Sequence, residues 1–285
     1  MTQPAAAGAG TVAIGDFSVN RIGLGAMRIT GPGIWGDPPD REDAKRLLRR
    51  AVELGVDFID TADAYGPGVS EELIAEALHP YPEGLVIATK GGSLRPGPDA
   101  WARDGSRDHL REACEASLRR LRVDAIPLYQ LHAPDPQVPF EESVGALVEL
   151  QAAGKIRHIG MSNVTEDLLR RAQRVATVVS VQNRYNITDR TWEPVLRACE
   201  DERLAFLPWA PVARGTTTPA LEAVADELGA TPAQVMLAWL LERSPMTLPI
   251  PGTSSLSHLE ENISAGRLRL NEHALRTLRA AERAA

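Results

Sequence analysis

FIDTADAYG, residues 58–66, opens as an apolar run that reads as a strand and breaks at Asp60 into a polar loop; SEELIAEAL (70–78) then follows with apolar residues at helical spacing. The same strand, loop and helix grammar recurs along the chain. The strand-like runs are RIGLGAM (21–27), DFIDTA (57–62), LVIATK (85–90), IPLYQLH (126–132), IRHIGMS (156–162), VVSVQ (178–182), LAFLPWA (204–210) and MTLPI (246–250). Eight alternations at about 30-residue spacing predict an α/β chain folded as a single (β/α)8 TIM barrel. A hairpin, Val12 to Ile14 and Phe17 to Val19 around Gly15-Asp16, stands in front of it, and an extra helix closes the C-terminus.

Helix boundaries carry their own signals. Asp40 precedes REDAKRLLRRAVEL, whose apolar stripe runs through Leu47, Leu48, Ala51, Val52 and Leu54 before Gly55. Ser70 and Thr165 are read as N-caps, and Thr231-Pro232 as a cap with proline in the first helical position. Three Pro/Gly clusters, at 30–40, 91–105 and 133–139, fall just after strands, which makes them loops on the face where barrels build ligand sites. No Ser/Gly linker divides the chain, and GLGAM (23–27) lacks both the third glycine and the following helix of a dinucleotide fingerprint. Residues 1–10 read as a disordered tail and 11–285 as one barrel domain.

With 285 residues, 44% of them hydrophobic, the chain can bury a large core. A net charge of −7 argues against a nucleic-acid partner, and the longest apolar stretch, around Val235 to Leu241, is too short for a membrane span. MTQPAAAGAG has neither a basic start nor an apolar core of a signal peptide, so a cytoplasmic location is expected. Cys114 and Cys199 lie on helix-like segments and read as buried thiols; with His79, His109, His158 and His273 scattered, no metal site is expected. Oligomeric state is left open.

Four residues carry the chemistry. Asp60, Tyr65, Lys90 and His132 each close or follow a strand, so a barrel gathers them on one rim. A lysine ammonium ~4 Å from a phenol is worth ~4 kcal/mol to the phenolate, which would lower the phenol's pKa by up to about three, less what a neighbouring carboxylate cancels. Asp60 would hold Lys90 charged, and His132 would offer a donor to a substrate oxygen. Such a site protonates an oxyanion as it forms on a carbonyl carbon.

DTADAYG (60–66), TKGG (89–92), QLHAPD (130–135), GKIRHIGMSN (154–163), VQNRYN (181–186) and PIPGTSSLSHLEEN (249–262) occur in an order that resembles the aldo-keto reductase family over nearly the whole chain. The resemblance implies reduction of an aldehyde or ketone by hydride transfer from NADPH. It makes Tyr65 the general acid, tuned by Asp60 and Lys90, with His132 orienting the carbonyl. Ser162, Asn163 and Gln182 correspond to groups that bind the nicotinamide carboxamide, and Trp209 to the aromatic that stacks on the ring. Gly25, Met27 and Asp60 border the cofactor, and Ala210, Pro211, Val212, Arg214 and Gly215 run along the pyrophosphate. Gly252, Thr253, Ser254, Ser255, His258, Glu261 and Asn262 surround the adenosine end. Many members carry lysine or arginine near Ser254, Ser255 and His258, so NADH stays open beside NADPH.

Trp35 and Trp101, in top-face loops, are expected to wall the substrate pocket; Arg28, Arg95 and Arg103 lie in the same loops, where they read either as solvated loop charges, the commoner outcome, or as groups that meet an anionic substrate. The loops are most similar to bacterial members of the pyridoxal reductase type. Two alternatives remain: a cofactor-sensing regulatory subunit, and a barrel lyase using Lys90 as a Schiff base.

Overall fold

A computed structural model describes residues 4–213, 215 and 217–282. Two short strands, β1 (Thr11–Ile14) and β2 (Phe17–Asn20), pair antiparallel through Val12↔Val19 and Ile14↔Phe17. The main chain then alternates: β3 (Leu24–Gly25), α1 (Arg41–Glu53), β4 (Phe58–Asp60), α2 (Val69–Leu78) and β5 (Val86–Gly91). A second antiparallel pair follows, β6 (Ser93–Gly97) and β7 (Ala100–Arg103), and leads into α3 (Arg107–Leu121). Next come β8 (Ile126–Leu131), α4 (Phe140–Ala152), β9 (Ile156–Ser162), α5 (Glu166–Gln173), β10 (Val178–Gln182), α6 (Glu193–Glu202) and β11 (Ala205–Phe206). Four helices end the described chain: α7 (Pro219–Leu228), α8 (Pro232–Arg243), α9 (Leu256–Ser264) and α10 (Glu272–Glu282).

Seven strands form one parallel sheet in the order β11-β10-β9-β8-β5-β4-β3. The eighth run, MTLPI, does not form a regular ladder. Pro249 and Pro251 have no N–H to donate, so hydrogen bonding there is sparse. The segment closes the barrel all the same. Leu248 N–H reaches Phe206 O (2.8 Å) on one side, while Gly23 and Gly25 N–H reach Pro249 O (3.0 Å) and Pro251 O (3.2 Å) on the other.

The barrel interior is filled by Phe58, Val86, Ala88, Leu128, Leu207 and Leu248, and the hairpin contributes Val12, Ile14 and Val19 to the same apolar cluster. The hairpin therefore plugs the end of the barrel remote from the strand C-termini. Helices cover the outside with apolar faces such as Ala44, Leu47, Leu48 and Ala51 of α1, whose first turn Asp40 caps through Glu42 and Asp43 N–H. Thr165 and Thr231 cap as their sequences predict, the latter in a capping box with Gln234.

Three expectations are corrected. Ser70 is not a cap: Gly68 precedes α2, and the buried Ser70 hydroxyl donates to Ala26 O and accepts from Thr61 Oγ1. The 91–105 cluster is a β6–β7 hairpin rather than an irregular loop, turned at Asp99 (φ 54°). Within the first ten residues, Ala6–Ala9 form a 3-10 turn, with Ala6 fully buried and its N–H on Leu54 O. Among the described residues, no helix is long and apolar enough to cross a membrane.

Candidate active site

Parallel pairing brings strand ends to one rim, and register decides which side chains meet there. Asp60 pairs with Ala88, two residues before Lys90, and Lys90 pairs with Gln130, two before His132. Alternation along a strand points Leu128 and Gln130 the same way, toward Asp60 across the barrel. All four residues expected at the site converge.

Lys90 is fully buried, and its ammonium donates to Asp60 Oδ2 (2.7 Å), Thr61 O (2.7 Å) and Tyr65 Oη (3.4 Å). The other Asp60 oxygen, Oδ1, accepts from Gln182 Nε2 (2.7 Å) and Gln130 Nε2 (3.1 Å). Burial works against the charged lysine, yet Asp60 and the phenol raise its pKa above the ordinary value. With its three donor positions filled, this amine is a fixed cation and is unsuited to a Schiff base.

Tyr65 departs from the sequence expectation. Burial raises its pKa above that of an ordinary phenol and outweighs the lowering by Lys90, which Asp60 and Asp63 also oppose. The phenol holds its proton firmly. Its ring lies edge-on to His132, centroids 5.9 Å apart, and the Trp101 ring lies edge-on to His132 from another side at 5.9 Å. Burial, helped by Lys90 and Arg103, holds His132 well below the usual imidazole range, so it is neutral at physiological pH.

These groups open onto a cavity of about 1030 Å³ that extends from Met27 and Trp101 past Trp209 to His258 and Asn262. Asp60, Ser162, Asn163, Gln182 and Trp209 line it, as do Gly25, Ala210, Pro211, Val212 and Gly215. Gly252 and Glu261 border the same space at the α9 end. Thr253, Ser254 and Ser255 are not among the lining residues; Ser255 instead caps α9, accepting from His258 N–H, and Thr253 accepts from Ser255 N–H. Arg214 lies outside the described residues.

The polar residues are less free than their sequence suggests. Asn163, at φ 58°, donates through Nδ2 to His132 O (2.9 Å) and Ser162 Oγ (3.1 Å), and its Oδ1 accepts from Trp209 Nε1 (3.1 Å). One side chain thus ties the cavity's indole wall to the His132 backbone. Trp101 lines the cavity as expected, whereas Trp35 is 37% exposed and does not line it. Arg28 and Arg103 border the cavity; Arg95 does not, because backbone carbonyls take up its guanidinium. Sequence reasoning passed over Gln130 and the Thr61 carbonyl, although the i, i+2 spacing of Gln130 and His132 on one strand was a usable signal for the first.

The sequence profile of the aldo/keto reductase family matches residues 21–283. An uncharacterised oxidoreductase of Schizosaccharomyces pombe is 48% identical over 266 residues, covering 92% of this chain and 87% of its own. Pyridoxine 4-dehydrogenase of Escherichia coli is 43% identical over 279 residues, covering 94% and 96%. Among solved structures, an aldo/keto reductase from Klebsiella pneumoniae in complex with NADP and acetate superposes with a TM-score of 0.81 at 28% identity, over 95% of each chain. The family profile covers most of the chain, both relatives are at least 43% identical over more than nine-tenths of it, and the chain belongs to the aldo/keto reductase family.

Proposed function

We propose that this oxidoreductase reduces an aldehyde or ketone to an alcohol with NADPH, that Tyr65 is its general acid, and that pyridoxal is the carbonyl to test first. The observation that carries the reading is the buried Asp60, Lys90 and Tyr65 chain ending at a large cavity beside a neutral imidazole. The donor set fits a nicotinamide dinucleotide: a flat Trp209 face, the Ser162 and Gln182 side chains beside it, and His258 and Asn262 at the far end. When bound, the cofactor supplies hydride.

The chain's own residues supply the proton and the alignment. A neutral His132 has one N–H to donate to the carbonyl oxygen without competing for charge. Tyr65 gives its proton to that oxygen as negative charge develops, and the phenolate left behind lies beside the Lys90 ammonium. Asp60 keeps the ammonium in place and is itself fixed by two amides. Burial keeps the phenol protonated until the developing alkoxide demands the proton.

The 43% identity to a pyridoxine 4-dehydrogenase supports pyridoxal, and the NADP complex of the Klebsiella relative supports the cofactor. The test is a titration with NADPH and with NADH followed by Trp209 fluorescence, then NADPH oxidation with pyridoxal and simple aldehydes. Quenching by NADPH, with turnover lost in Tyr65→Phe, is expected. A Tyr65→Phe enzyme at wild-type rate would refute the assigned acid; NADPH binding without turnover of any carbonyl would favour the cofactor-sensing subunit.

A further inference from the structure

We propose that Arg95 is a positioning residue: it latches the loop after β3 to the β6–β7 hairpin and so fixes Trp101 as the substrate-side wall of the cavity. What the wall contacts rests on the reductase reading. The latch itself rests on geometry.

Arg95 is buried at 7% exposure although it belongs to a surface hairpin. Its guanidinium donates to Ala100 O (2.8 Å), Ile34 O (3.0 Å), Gly33 O (2.6 Å) and, at 3.4 Å, Gly97 O. Two of these carbonyls belong to its own hairpin and two to the loop after β3. A planar fork with five donors can reach all four carbonyls, whereas a lysine ammonium has only three donors and no planar face to lay on an indole. The guanidinium carbon lies 4.2 Å from the Trp101 ring centre, so the same group that joins the loops also stacks on the indole.

The joined loop is strained. Gly33 (φ 66°) and Ile34 (φ 57°) are successive left-handed residues, and a β-branched side chain there is disfavoured. Such a conformation persists only where its surroundings over-determine it. The Ile34 carbonyl takes Arg95 on one side and Gly66 N–H (3.3 Å) on the other, and Gly66 follows Tyr65. Arg95 is thereby connected to the backbone beside the proton donor and, through Trp101, to the edge of His132. Trp101 is itself 45% exposed and lines the cavity.

A preformed wall contributes equally to ground-state and transition-state binding, so its loss should raise KM and leave kcat alone. The variants are Arg95→Met, Arg95→Lys and Trp101→Leu, assayed with pyridoxal and with NADPH binding measured separately. For both Arg95 variants we expect KM to rise about ten-fold, kcat to change less than about two-fold, and NADPH affinity to hold. Trp101→Leu should raise KM similarly, and Arg95→Met/Trp101→Leu no further, because the two residues act as one unit. Amide exchange of residues 31–36 should accelerate in Arg95→Met and stay unchanged in Trp101→Leu.

Unchanged KM and unchanged exchange in Arg95→Met would overturn the proposal. So would a joint fall of kcat, aldehyde binding and NADPH affinity, which would mark general structural damage. If the wild-type protein reduced no carbonyl, the reductase reading would fail, and the exchange of residues 31–36 would still decide the latch.

Discussion

Lys90→Met removes a positive charge from a buried position. Lys90 is 0% exposed, and its departure leaves Asp60, 2% exposed, with two neutral amides for company. Breaking a buried ion pair from one side costs about 3–5 kcal/mol. Hydrogen bonds to a charged group are worth about 1.5–3 kcal/mol each, and the two glutamine donors survive, so the lower end, about 3 kcal/mol, is expected at pH 8. The urea midpoint at pH 8 measures the loss. Adding Asp60→Asn should recover much of the loss by removing the stranded charge. A loss below about 1 kcal/mol, or a double variant as unstable as Lys90→Met plus the full cost of Asp60→Asn, would refute the argument that Asp60 depends on this cation.

Asp63, beneath the site, has its pKa pushed up to about 8 by burial and then by the Glu71 carboxylate, which is itself ion-paired with Arg120 at 2.7 Å. Between the unfolded value near 4 and about 8 the folded state binds one more proton, so Asp63 erodes stability by up to about 1.4 kcal/mol per pH unit as pH rises; Asp63→Asn should flatten that slope in urea titrations. Because His132 is held low and Tyr65 high, kcat/KM for carbonyl reduction should be flat from about pH 6.5 to 9, and an acid limb near pH 6.5 would mean that the imidazole is not neutral in the site. Burial pushes the Cys114 and Cys199 thiols up to about 12, so both should resist a thiol reagent in the native protein and react together after unfolding; rapid native labelling of either would contradict their placement.

The sequence by itself determined the architecture and which polar side chains gather at its centre. Apolar runs of strand length alternating with amphipathic helices leave few folds besides a barrel, and four polar residues at the ends of such runs have to share a rim, because parallel strands all finish at one end. Caps at Asp40, Thr165 and Thr231 were legible because they act through residues within three positions. Tertiary structure decided what depends on groups far apart in the chain. The direction of the Tyr65 shift follows from burial by the whole barrel, which no local pattern encodes. MTLPI reads as a strand, but Pro249 and the following Pro251 reduce it to a carbonyl-lined seam whose partners lie about 40 and 225 residues away. Arg95 reads as a solvated loop cation, and only the folded meeting of residues 33–34 with the β6–β7 hairpin turns it inward. Local spacing fixes what a short segment can be; burial and long-range carbonyl geometry fix what each charged side chain must do once it is there.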